Sequence, residues 1–334
     1  MILPGSPFPG PRHRPDGGGA AIVALGGGHG LAATLRAVRH VSQNLTAVVT
    51  VADDGGSSGR LREEFDVLPP GDLRMALSAL CDDSQWGLTW RDVLQHRFRS
   101  EGELDNHALG NLLILALWQL LGDEVAALDW VGGLLGARGR VLPMSAVPLD
   151  IQAQVRTAAG VEHVRGQSRV AAAEGMVEHV ELIPPEPPAR TEAVRAVEEA
   201  DWVILGPGSW YTSVIPHLLV PDLARALEQT TARRAVVLNL SAQQGETDGM
   251  SAGDHLDALL RHCPGLRVDV VIADPSAVED LDVLGVAAEA CGAQLVLRQV
   301  RSGDSGAVHD PLRLAAAFRD AFEGVIGDVG TTEE

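Results

Sequence analysis

Residues 20–52 run through an apolar segment, a glycine turn, a helical repeat and a second apolar segment, an order open to few folds. AAIVAL (20–25) ends in Gly26-Gly27-Gly28-His29-Gly30, and LAATLRAVRHV then sets Leu31, Leu35, Val38 and Val41 at helical spacing. LTAVVTVA (45–52) is almost unbroken in small and β-branched apolar residues, as a strand buried on both faces requires. Strand, helix and strand in this order imply a parallel sheet with a right-handed crossover. The alternation restarts later. ARTEAVRAVEEA predicts an amphipathic helix feeding the strand WVIL, RRAVVLNLS (233–241) and VDVVIAD (268–274) predict two more strands, and helices are predicted around 222–229, 253–262 and 312–323. The chain is therefore read as α/β class, with a Rossmann-like, doubly wound and mostly parallel sheet.

The middle of the chain interrupts that pattern. Residues 66–138 read as mostly helical, with Pro69-Pro70-Gly71-Asp72 offering a stop and then an Asp N-cap before LRMALSAL. LGNLLILALWQLL (109–121) is apolar around its circumference and predicts a buried helix, with Asn106 as its N-cap. RVLPMSA, DIQAQVRTA, VEHVRG and VEHVELI, between 140 and 183, predict a hairpin or small antiparallel addition, and Pro184 to Pro188 a stiff connector. The expected organisation is a disordered Pro/Gly-rich extension (1–19), one α/β domain (20–325) with a helical and β-hairpin insertion (66–190), and a flexible tail (326–334).

Composition removes several functions. A net charge of −19 argues against a nucleic-acid partner, and no apolar run is long enough to span a membrane. Cys81, Cys263 and Cys291 lack metal-ligand spacing and fit a reducing cytoplasm. The chain has no lysine: all 26 basic residues are arginine. A P-loop lysine and a Schiff base are excluded, so phosphate must meet guanidinium, backbone N–H groups or a metal.

Ligands of a doubly wound sheet bind beyond the carboxyl ends of its strands. Four such ends carry unusual loops. The first, with Gly27, Gly28 and Gly30, fits G-x-G-x-x-A, a dinucleotide pattern that a tight turn would equally produce. In the second, Asp53 and Asp54 precede Gly55, Gly56, Ser57, Ser58 and Arg60. The carboxylates repel phosphate but can hold a sugar hydroxyl or a divalent metal such as magnesium, and the small residues let N–H groups converge on an anion. A solvated glycine turn is the competing reading. The third, Gly206-Pro207-Gly208-Ser209-Trp210-Tyr211-Thr212-Ser213, combines close backbone approach with hydroxyl donors. The fourth, from Asn239 to Gly249, is rich in amide and hydroxyl groups. His107 and Asn111 lie one helical turn apart and can face the same cleft, His107 being a candidate base; His217, His255 and His309 have no evident nucleophile to serve.

The strings LGGGHGL, VTVADDGGSSGRLR, LPPGDLR, HALGNLL, LGPGSWYTSVIPHLLV and QGETDG, in this order, resemble the YvcK-like gluconeogenesis-factor family of bacteria, related to 2-phospho-L-lactate transferase (CofD). The resemblance runs from about Ala20 to about Leu314 and implies a three-layer, CofD-like α/β/α fold. It implies a cytoplasmic protein that binds a UDP-sugar of the UDP-N-acetylglucosamine type, supports cell shape and cell-wall precursor supply on gluconeogenic carbon, and forms a dimer. The expected partner is an enzyme of amino-sugar synthesis. The transferase relatives use a divalent metal to move a phospholactyl group, with Asp53 and Asp54 matching their acidic strand end, so a metal-dependent transferase is the alternative. An NAD-dependent oxidoreductase rests on the first glycine turn alone. The chain departs from the family pattern at His29, Asn106, Ser241 to Gln244 and Met250.

Overall fold

The computed structural model describes residues 19–324 apart from Gln244, Asp304 and Ser305. The extension expected over residues 1–19, apart from Gly19, and the tail expected over 326–334 lie outside the described residues. The strands are β1 (Ile22–Gly26), β2 (Leu45–Val49), β3 (Arg140–Pro143), β4 (Asp150–Thr157), β5 (Gly160–Arg165), β6 (Met176–Ile183), β7 (Trp202–Leu205), β8 (Arg233–Val237), β9 (Val270–Ala273) and β10 (Gln294–Leu297). The helices are α1 (Gly28–Val38), α2 (Gly56–Phe65), α3 (Pro70–Leu80), α4 (Gln85–Gln95), α5 (Leu109–Leu121), α6 (Glu124–Leu135), α7 (Gln167–Ala171), α8 (Thr191–Glu198), α9 (Pro221–Gln229), α10 (Ala252–His262), α11 (Leu281–Ala290) and α12 (Pro311–Glu323).

Seven strands form one sheet in the order β10-β9-β8-β7-β1-β2-β3, every neighbouring pair parallel. The chain builds outward from β1 to β3, returns to the centre at β7, and builds outward again on the other side. Ligand crevices open at such a reversal, here between β1 and β7. Both faces of the central strands are covered, and Ile22 to Gly26 are all buried. Helix α1 packs against both α3 and α12, and α8 packs on α9. A second sheet, β5-β4-β6, is antiparallel.

Four local expectations are corrected. RVLP does not join the antiparallel sheet but forms parallel edge strand β3 beside β2; its partner was invisible because register is a tertiary matter. Asp72 is not the cap of α3, whose N-cap is Pro69 with Pro70 at the first helical position. Asn106 is not the cap of α5, whose N-cap is Ala108; Asn106 instead takes a left-handed φ of 60° in the preceding turn. Helix α5 is also not buried all round. Ile114, Leu115 and Trp118 are enclosed, whereas Leu120 is 56% exposed. Strand β10 and helix α11 carried too weak a repeat to be predicted.

Candidate functional site

The glycine-rich strand ends meet on one side of the sheet, because parallel strands deliver all their carboxyl ends to the same edge. Gly30, in the first turn of α1, lies so close to the β7 loop that a Cβ there would overlap the Pro207 carbonyl oxygen and the Gly208 Cα. A Cβ on Gly27 would reach the Asp72 carboxylate, and one on Gly71 would stand 2.9 Å from Asp53 Oδ2. Asp53, Asp72, Gly27, Gly28, Gly30 and Gly208 therefore surround one crevice. Gly28 takes φ 55°, a left-handed conformation that suits glycine.

At the acidic end, the adjacent carboxylates part company. Asp53 Oδ1 accepts from the Gly55 N–H at 2.9 Å. Asp54 turns away and accepts from the Ser168 N–H at 2.9 Å, tying the β2 end to α7. The partner of Asp53 is Asp72, which the sequence offered as a helix cap and not as a site residue. Its carboxyl accepts from the Gly28 N–H, and its pKa rises to about 7 because burial disfavours the charge and Asp53 repels it. A magnesium ion riding on a ligand diphosphate needs only one or two protein carboxylates, and Asp53 with Asp72 fits that demand. Among the described residues no set of three or more His, Cys, Asp or Glu is arranged to hold a metal on its own.

Ser57, at the start of α2, is 3% exposed and serves as a buried junction. Its Oγ accepts from the Ala108 N–H at 3.2 Å and from Asn111 Nδ2 at 3.0 Å, and lies 3.0 Å from His107 Nδ1. With two donors already pointing at it, the hydroxyl gives its proton to Nδ1, which makes His107 a neutral imidazole carrying its hydrogen on Nε2. Burial, then the Arg60 charge, pushes the His107 pKa down in the same sense. Arg74 extends the junction, donating to Asn111 Oδ1 at 2.8 Å and to Gln95. Ser58 is buried against Gly71. The Arg60 guanidinium holds the Glu103 and Asp105 carbonyls at 3.1 and 2.6 Å, so here it pins the 103–105 loop.

On the other side of the crevice, Asn239 grips Gly208 in both directions, accepting from its N–H at 2.8 Å and donating to its carbonyl at 2.9 Å. Ser209 accepts from Gln243 at 3.3 Å. Thr212 is turned inward: its hydroxyl donates to Glu246 Oε1 at 2.7 Å, and the Tyr211 N–H donates to Oε2 at 3.0 Å. The Glu246 pKa is raised by burial despite these donors. Its carboxylate thus occupies the anion-binding groups that the third loop seemed to offer a phosphate. Glu246 lies in the QGETDG run, but nothing in the sequence says that its charge is spent inside the protein.

Between α1 and the β7 and β8 ends lies a cavity of about 330 Å³, lined by His29, Gly30, Ala33, Arg36, Pro207, Gly208, Asn239, Leu240, Ser241, Gln243, Ala307, Val308, His309 and Pro311. That volume is in the range of small-ligand sites. The first turn of α1 faces it, and such a turn has N–H groups without intrahelical partners and a partial positive charge. The arrangement can hold an anion at the His29–Gly30 turn, a ring system in the cavity and a polyol or metal at the acid pair.

A family model described as 2-phospho-L-lactate transferase CofD matches residues 22–292. A "Putative gluconeogenesis factor" of Mycobacterium tuberculosis is 51% identical over 324 residues, covering 93% of this chain and 92% of that protein. A "Gluconeogenesis factor" of Halalkalibacterium halodurans is 39% identical over 259 residues, covering 78% of this chain and 79% of that one. A crystal structure of a UPF0052-family member from Bacillus halodurans superimposes with a TM-score of 0.81 at 33% identity, over 90% of this chain and 99% of that chain.

Proposed function

The chain belongs to the CofD family, among its gluconeogenesis-factor members, and we propose that it binds a nucleotide sugar of the UDP-N-acetylglucosamine type as the input of a regulator. One observation carries this reading: a ring-sized cavity, an open helix N-terminus and an acid pair follow one another along the β1–β7 reversal. A nucleotide sugar presents base, diphosphate and sugar in that sequence. The diphosphate sits at the α1 turn, where helix N–H groups replace the lysine this chain lacks. Saturation of the Ser57 hydroxyl and of the Glu246 carboxylate by their neighbours supports binding over covalent catalysis. Occupancy alters contact with an enzyme of amino-sugar synthesis, and so cell-wall precursor supply, in a cytoplasmic homodimer. Among the described residues no helix is long and apolar enough to cross a membrane.

The test is calorimetry with UDP-N-acetylglucosamine and UDP as competitor; no heat at millimolar ligand rejects the reading. The transferase alternative is favoured by the proximity of Asp53 and Asp72. Its signature is magnesium-dependent turnover that Asp72→Asn abolishes while sugar-nucleotide binding survives.

A further inference from the structure

The sheet has a second opening at the edge where its strands begin, away from the glycine-rich ends. A cavity of about 250 Å³ lies there, lined by α8 and by the starts of β1, β2 and β3. That volume suits a metabolite of amino-acid size. Parallel register builds the floor. Val23 stands opposite Thr46, and Thr46 opposite Arg140, so one row of side chains crosses three strands on a single face. Leu142, two residues beyond Arg140, falls on the same face. The wall is one stripe of α8, where Glu192, Arg195, Ala196 and Glu199 recur at helical spacing.

A helix stripe set against a sheet is ordinarily apolar. This one carries two carboxylates and a guanidinium around the small Ala196, while Ala193 and Val197 supply the buried contact beside it. Arg140 is held by a two-point contact with Asp129, Nε to Oδ1 at 2.9 Å and Nη2 to Oδ2 at 2.8 Å. Its Nη1 is left without a hydrogen-bond partner among the described residues. Glu192 is close enough for its charge to act on Arg140. Among the described residues no hydrogen bond or ion pair engages the side chains of Thr46, Arg195 and Glu199. Charges of both signs thus line the cavity above an apolar floor.

We propose that this cavity binds a small α-amino acid with an apolar side chain. Its carboxylate meets Arg195 and the free Nη1 of Arg140, its ammonium meets Glu192 and Glu199, and its side chain lies over Val23, Leu142 and Ala196. The charges decide the class. A simple anion would face the two glutamates and a simple cation the two arginines, whereas a zwitterion pairs with both signs. Guanidinium also matches a carboxylate in shape. The site is separate from the nucleotide cavity, which opens at the opposite edge of the sheet. Helix α8 leads into β7 through Asp201, whose carboxylate accepts from the Ala21 N–H at 2.7 Å, so the wall of the cavity is tied to both central strands.

The test is calorimetry of the full chain with leucine, with isocaproate, which lacks the ammonium, and with isoamylamine, which lacks the carboxylate. Leucine is expected to bind saturably in the millimolar range or tighter, and each analogue about tenfold more weakly or worse. Arg195 and Glu199 are exposed on α8. Arg195→Ala and Glu199→Gln should therefore keep the parent melting temperature and each lose about tenfold in leucine affinity. The analogue series uses the unaltered chain and decides the matter even where a variant melts early. No saturable heat with leucine, isocaproate or isoamylamine binding as tightly as leucine, or leucine affinity unchanged in both variants overturns the assignment.

Discussion

Ser57 Oγ and His107 Nδ1 lie 3.0 Å apart across 50 residues of sequence, joining the start of α2 to the turn before α5. The contact turns a serine and a histidine that could be mistaken for a nucleophile and its base into a structural knot. Asn111 and the Ala108 N–H fill the remaining positions around the hydroxyl.

Ser57→Ala should therefore destabilise the fold by about 2 kcal/mol, since it strands several buried donors and acceptors at once. Urea denaturation measures it. Ser57→Ala and Asn111→Ala combined should cost less than the sum of the two, because they break one network. Strict additivity would show that the two residues act independently.

Gly30→Ala places a methyl group into the Pro207 carbonyl, where backbone on both sides leaves no room. A loss of about 3 kcal/mol or more is expected, together with loss of ligand binding, because α1 must move off the β7 loop. A melting temperature unchanged by this single methyl would contradict the observed contact between the two loops.

Asp72 gives a pH signature with a definite sign. Its folded pKa, about 7, lies above its ordinary value of 3.8, so the folded state holds more protons than the unfolded one between those limits. Its contribution is full below pH 3.8 and is lost as pH rises through 7. Asp72→Asn removes the ionisation and keeps an oxygen for the Gly28 N–H. The variant should gain stability over the parent by on the order of 2 kcal/mol at pH 8 and little at pH 4, read from denaturant midpoints.

The divergence of Asp53 and Asp54 separates two roles that the sequence joined. Asp54→Ala should cost about 1–2 kcal/mol of stability through the lost Ser168 contact, and leave magnesium free to tighten UDP-N-acetylglucosamine binding. Asp72→Ala should abolish the magnesium effect. Calorimetry with and without magnesium distinguishes them; a magnesium effect lost in Asp54→Ala instead would return the ion to the adjacent pair.

The class of fold is legible from the chain's local patterns alone. Strand, turn and helix repeats are local, and β1, β2, β7, β8 and β9 with their flanking helices are all legible as apolar runs and periodicities. The glycine turns at residues 26–30 and 206–208 were equally plain, because small residues after an apolar strand signal close approach at short range. Which groups face one another emerges only once the chain is folded. Asp72 reads as a cap until α3 carries it beneath Gly28, and Thr212 reads as a ligand donor until Glu246, 34 residues later, claims its hydroxyl. Hydrogen bonds and charges act over a few ångströms in space, so partners distant in the chain leave no periodic trace in it.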